Sequence, residues 1–194
     1  APDLPTKDMA GLATYLKTAP GKGSFGSPGA GTLPHVGGEL LNRRLGVDMQ
    51  HVPFSGTPTA LVALMSGQIS LYFSAVVAST PLVSTGKVIA LGVSGTSRVP
   101  SMPQVPTFSE QGFPEFAEFS NYLGLALSPK APPEVAAKLY AATLRIAQSP
   151  QFNAKIAGIG FEPLVPTPSE QFGEIVAAEF NRNGELIRRL NLKP

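Results

Sequence analysis

Three times within residues 1–75, a short apolar run ends in a turn of small residues and a helix-like segment starts directly after it. The turns are Gly26-Ser27-Pro28-Gly29-Ala30-Gly31-Thr32, then Phe54-Ser55-Gly56-Thr57-Pro58, then Phe73-Ser74-Ala75. Strands that alternate with helices point to a parallel sheet with helices on its faces. In such a sheet all three turns lie at the carboxyl ends of strands, where ligands of α/β proteins bind. Each turn exposes backbone N–H groups at a helix start, which carries a partial positive charge. Side by side they would make a pocket for a small anion such as a carboxylate. None of them contains Arg or Lys, so the donors would be hydroxyls and amides, with water filling gaps.

The remaining elements follow from spacing and punctuation. Thr6 is placed to cap a first helix running to about Lys17, with Met9, Leu12, Ala13 and Leu16 on one face. Strands are expected around Ser24-Phe25, at 47–53, at 69–73 and at 88–93, the last a continuous apolar run of the kind buried on both faces. Helices are expected at 34–45, with Gly46 as its stop, and after Thr57, which would cap a helix whose first residue is Pro58 and which ends at Gly67. Another is expected at 76–85. Pro100, Pro103 and Pro106 suggest an extended surface linker over 99–106. Thr107-Phe108-Ser109-Glu110 and Thr167-Pro168-Ser169-Glu170 are capping-box patterns, the second opening a long amphipathic helix with Phe172, Ile175, Val176, Phe180, Ile187 and Leu190 near helical spacing. Between them a strand at 119–127, helices from Pro132 or Pro133 and at 152–157, and a strand at 161–165 are expected.

Composition removes several function classes. Of 194 residues 43% are hydrophobic and 14% charged, enough apolar material for a core. The net charge of +2 gives no strong field towards nucleic acid or a membrane, and Arg43-Arg44 and Arg188-Arg189 read as solvated helix-surface charges. The chain has no cysteine, which excludes disulfides, thiolate catalysis and Cys-ligated metal, and suits an oxidising compartment. It starts at Ala1-Pro2 without Met or a signal peptide, which suggests a processed or trimmed product.

The motifs of enzymes are missing. Gly21-Lys22-Gly23-Ser24-Phe25-Gly26 has the G-x-G-x-x-G spacing, but it precedes a strand instead of following one, so it does not read as a dinucleotide site. No nucleophile elbow surrounds Ser27, Ser55 or Ser74. Only His35 and His51 could serve as a base. His35, at a helix start beside the first turn, either braces the glycines or touches a ligand; His51, within a strand, reads as a packed or edge histidine. Two histidines with Glu39 four residues after one of them do not make a zinc site. No catalytic residue, metal or cofactor is assigned.

At these residues the chain resembles the periplasmic solute-binding proteins of tripartite tricarboxylate transporters, also called the Bordetella uptake gene family. The resemblance rests on Pro20-Gly21-Lys22, on Phe25-Gly26-Ser27 with Gly29, Gly31 and Thr32, on His35 and Gly38-Glu39, and on His51-Val52-Pro53-Phe54 with Gly56. It continues through Ala60-Leu61, Gly67-Gln68-Ile69, Gly86-Lys87, Leu91-Gly92-Val93, Pro106-Thr107, Leu123-Gly124-Leu125 and Gly160 with Glu162-Pro163. It implies an α/β fold of the type II periplasmic-binding-protein kind, a parallel-sheet lobe flanked by helices plus a second lobe. It also implies a cleft that closes on an organic acid, a di- or tricarboxylate or an aromatic carboxylate, and delivery to membrane transporter subunits from the periplasm. Carried over residue by residue, the ligand-binding positions are Ser27, Gly29, Ala30, Gly31, Thr32, His35, Ser55, Gly56, Thr57 and Ser74.

Two departures bear on the ligand. Many members of the family carry Asp where this chain has Ser74, which points away from an amino-acid ligand, and Trp near Tyr122. A third concerns the lobes. Members carry an N-terminal segment that supplies much of the first lobe. Residues 1–118 are therefore expected to be a complete lobe, and 119–194 a hinge strand and helices belonging to the other, incomplete lobe. Either those helices are mobile or re-paired, or another chain completes the lobe, with self-association through it as one form. The alternative from another class is the effector-binding domain of a LysR-type transcription regulator, which has a similar fold and also binds small acids. An α/β-hydrolase-like enzyme would need the nucleophile elbow and base that are lacking.

Overall fold

The computed structural model describes residues 1–117, 119, 124–158, 161 and 167–192. Its centre is a parallel three-stranded sheet in the order β2–β1–β3, with β1 at Ser24–Ser27, β2 at Gln50–Pro53 and β3 at Leu71–Tyr72. The register pairs Phe25 with His51 on one side and with Leu71 on the other. Four helices cover it: α1 (Met9–Thr18), α2 (Leu33–Leu45), α3 (Thr57–Met65) and α4 (Val76–Ser84). The period-2 alternation of strands separates two cores. Phe25 and Leu71 join Met9, Leu12, Leu40, Leu41 and Phe116 on the α1/α2 side, whereas Val52 and Tyr72 join Leu61, Leu64 and Ile69 on the other.

Close approach of α2 to β1 depends on one residue. A Cβ built on Gly38 would lie 2.1 Å from the Phe25 ring, so the helix reaches the strand only because that position carries no side chain. At the far end of α2, Asn42 bridges to the start of β2: its Nδ2 donates to the Met49 carbonyl (3.2 Å) and its Oδ1 accepts from the Met49 N–H (2.9 Å).

Several expectations are corrected. The cap of α1 is Asp8, whose Oδ1 accepts from the Gly11 N–H at 2.7 Å, while Thr6 folds back on Asp8 instead. The N-cap of α3 is Gly56, and Thr57 is its first residue. Residues 88–93 form no strand. The backbone partners of this run lie elsewhere: Gln111 Nε2 donates to the Leu91 carbonyl (2.9 Å), and Val93 forms a parallel bridge with Thr107. A cavity of about 160 Å³, lined by Leu71, Phe73, Val76, Val83, Val88 and Leu91 among others, separates the run from β3. Residues 99–106 do not form an extended surface linker. They fold into two tight turns that bury Met102 and Val105 beside Val93.

Thr107 and Glu110 do form a reciprocal capping box, Thr107 N–H to Glu110 Oε2 (2.6 Å) and Glu110 N–H to Thr107 Oγ1 (3.0 Å), over the short 3-10 turn Ser109–Gln111. The N-cap position of the last helix is Pro168, which offers no side-chain cap. Three helices follow: α5 (Pro133–Ala147), α6 (Pro150–Gly158) and α7 (Ser169–Arg189). Leu186 and Leu190 pack against the α1/α2 core, but Val135, Leu139, Ile146, Ile175 and Phe180 stay exposed, Phe180 at 79%. Residues 124–127 carry no strand. Tyr122, Leu123, Gly160, Glu162 and Pro163, with most of the strand expected at 161–165, lie outside the described residues.

Candidate functional site

Because the three strands are parallel, their carboxyl ends share one edge of the sheet. The second turn, the first and the third therefore stand next to one another in that order. Each runs into a helix, so the N-termini of α3, α2 and α4 face the same edge. The turns are also tied together. The Phe54 N–H donates to the Ser27 carbonyl at 2.8 Å. Tyr72 on β3 donates its hydroxyl to Thr57 Oγ1 at 3.0 Å.

The first turn is braced from within. Gly29 and Gly31 adopt φ of +136° and +75°, values that a residue with Cβ rarely takes. Ser27 is fully buried, and its Oγ accepts the Gly29 N–H (3.1 Å), donates to the Gly29 carbonyl (2.9 Å) and lies 2.7 Å from His51 Nε2. Thr32 Oγ1 also donates to the Gly29 carbonyl, at 2.7 Å. His35 is buried, and its Nδ1 accepts the Gly31 N–H at 3.0 Å, which places the proton of the neutral ring on Nε2, facing Glu39 Oε1 at 3.9 Å. The rings of Phe25, His35 and His51 form a cluster, the His51 centroid lying 5.1 Å from that of Phe25 and 4.1 Å from that of His35, with those two 6.3 Å apart. Burial, and then the neighbouring His35, lower the pKa of His51 from its ordinary 6.5.

With these bonds counted, Ser27 Oγ and His35 Nδ1 are committed to holding the turn, while His35 Nε2 has only Glu39 Oε1 at 3.9 Å before it. Among the described residues, the backbone N–H groups of these turns left without a protein partner include those of Ala30, Ser55, Gly56, Thr57, Ser74 and Ala75. Thr57 keeps a hydroxyl proton to give, since its oxygen accepts from Tyr72. Ser55 Oγ has a long contact of 3.4 Å to Thr59, and Ser74 Oγ reaches only the carbonyl of Ala75. The site is therefore a row of neutral donors and helix ends on one edge, suited to an anion. The close Ser27–His51 pair is not a nucleophile and its base: no substrate carbonyl reaches a hydroxyl with no exposed surface. Among the described residues no cluster of three potential ligands could hold a metal ion.

Sequence reasoning missed His51 and Tyr72 as parts of the site. Both act through strand register, which a single sequence does not display. The one available signal for His51 was parity, since it shares a sheet face with its register partner Phe25.

The family described as tripartite tricarboxylate transporter family receptor matches residues 1–192. The chain belongs to this family. Among solved structures of such receptors and related proteins, it is similar to Rpa4515 of R. palustris with adipate (TM-score 0.90, 25% identity, 99% of this chain and 64% of that one). It is similar to the periplasmic binding protein BugD (TM-score 0.88, 27% identity, 99% and 64%). It is also similar to MatC from Rhodopseudomonas palustris with bound malate (TM-score 0.80, 29% identity, 96% and 64%). The fold is thus of the periplasmic-binding-protein kind. The chain spans 59% and 57% of the length of two curated relatives that it matches, from Bordetella pertussis and Cupriavidus necator.

Proposed function

We propose that this tripartite tricarboxylate receptor-family chain is the ligand-binding part of a periplasmic receptor for a small organic acid, which it delivers to membrane transporter subunits without chemical change. One observation carries the reading: three turns on one sheet edge present unpaired amides, and no cationic side chain stands in any of them. Carboxylates are well served by such donors. The adipate and malate held by two structural neighbours support the ligand class, and the third, a periplasmic binding protein, supports the compartment. In this reading Ala30, Ser55, Gly56 and Ser74 give N–H groups, Thr57 gives a hydroxyl, and Gly29, Gly31, Thr32, Ser27 and His35 hold the first turn in shape. Residues 1–118 form the lobe that carries the site, and 119–194 belong to a second lobe whose exposed apolar helix faces await a covering.

Isothermal titration and thermal shift with adipate and with malate test this. A ligand that binds only the folded chain raises stability by about 2.7 kcal/mol at a hundred times its Kd. Saturable binding of a mono-, di- or tricarboxylate or an aromatic acid is the expected result. Absence of binding by every acid, to this chain and to a longer form with the preceding residues of its gene, would refute the reading.

A further inference from the structure

The reading above leaves His51 without a role, although it lies under the first turn at a short 2.7 Å from Ser27 Oγ. A proton count gives it one. The Ser27 hydroxyl has a single proton and two neighbours that could take it, the Gly29 carbonyl at 2.9 Å and His51 Nε2. Its lone pairs also receive the Gly29 N–H at 3.1 Å. All three contacts hold together only if His51 carries its proton on Nε2 and donates it to Ser27 Oγ. The serine proton then goes to the Gly29 carbonyl. If His51 Nε2 were bare, it would take the serine proton, and that carbonyl would be left to the Thr32 hydroxyl (2.7 Å) and N–H (3.4 Å) alone.

The Gly29 carbonyl matters because it belongs to the same peptide unit as the Ala30 N–H. In a trans peptide the two point in opposite directions. A carbonyl held inward by Ser27 and Thr32 turns the Ala30 N–H outward, and this is the amide of the first turn that has no partner among the described residues. Glycine at position 29 would otherwise let that unit rotate freely. The ring of His51 packs against those of both Phe25 and His35, which limits its rotation and keeps Nε2 on Ser27.

We propose that His51 is the positioning residue of the site: as an Nε2–H donor to Ser27, it commits the serine proton to the Gly29 carbonyl and so holds the Ala30 amide outward to receive an anion. The inference rests on the carboxylate-receptor reading for what that amide receives, but its central claim concerns a proton in the unliganded chain. Nitrogen NMR of the histidine rings at about pH 8, above the ordinary histidine range, reads that claim directly. The expected result is His51 protonated at Nε2; protonation at Nδ1 with a bare Nε2 overturns it. Adipate titration of two variants then reads the consequence. His51→Phe keeps a stacking ring without a donor and is expected to weaken binding roughly three- to tenfold, the worth of one hydrogen bond. His51→Gln restores a donor and is expected to stay within about twofold of the unaltered chain. Equal affinity in the Phe variant, at unchanged melting temperature, overturns the proposal. If adipate, malate and the other acids all fail to bind the unaltered chain and its longer form, the receptor reading falls, and the ring measurement still decides the role of His51.

Discussion

Replacing Gly38 by Ala tests whether the approach of α2 to β1 holds the site together. An added Cβ would meet three atoms of the Phe25 ring at 2.1–2.6 Å, well inside contact distance. The ring has no room to yield, because Phe25 is fully buried and stacked on His51. Two effects oppose each other. Alanine favours a helix interior over glycine by about 1 kcal/mol. Forcing a methyl into a packed core costs about 1–3 kcal/mol, and this clash with a rigid ring belongs at the upper end. The net expectation is a loss of about 2 kcal/mol, or roughly 4–8 °C in melting temperature for a chain of this size. His35 lies one turn earlier on α2, so a shifted helix also lengthens the bond from the Gly31 N–H to His35 Nδ1, and acid binding should weaken with stability. Urea unfolding, read as a change in midpoint at constant slope, measures the first effect, and titration the second. The control is Gly184→Ala on α7, where nothing lies within 4 Å of the new methyl and stability should rise by up to about 1 kcal/mol. If Gly38→Ala proves as stable as the control, the close-approach reasoning is refuted.

Two further outcomes follow from the same contacts. Asn42→Ala removes both bonds to Met49 and strands its buried N–H and carbonyl, for an expected loss of about 2–4 kcal/mol by urea unfolding. Acid should also weaken the fold through His51. Its pKa is lowered in the folded chain, so the unfolded chain binds the proton more readily; the stability it contributes is complete above 6.5 and is lost as pH falls below that value. Melting temperature should therefore drop from pH 7 towards pH 5.5 more steeply in the unaltered chain than in His51→Gln, and equal slopes would contradict this.

Local chemistry accounts for what the sequence disclosed. Pro34 and Pro58 near helix starts, and Gly46 at a helix stop, act within a few residues, so α2 and α3 and the turns before them could be placed. Thr107 and Glu110 close their box across three residues. What was hidden depends on distant partners or on a choice between neighbours. Residues 88–93 read as a buried strand by composition, yet Gln111 takes the Leu91 carbonyl, and the Pro106 carbonyl and Phe108 N–H take the backbone groups of Val93. Asp8 outbids Thr6 as a cap because its carboxylate reaches the Gly11 N–H, a contest that composition alone does not decide. The edge where the turns meet follows from alternation, but the link from His51 to Ser27 needs a register fixed only by pairing β1 with β2.

The lack of a cation in the three turns has an electrical consequence. A site built from dipoles grips an anion without cancelling its charge. A dianion bound there would take the formal charge of this chain from +2 to zero, the sum of +2 and −2. Loaded and empty forms would then differ in the field they show to anything that approaches, over about a Debye length of 8 Å at physiological salt. Occupancy of that edge would be written on the outside of the protein as charge, even where its shape stays the same.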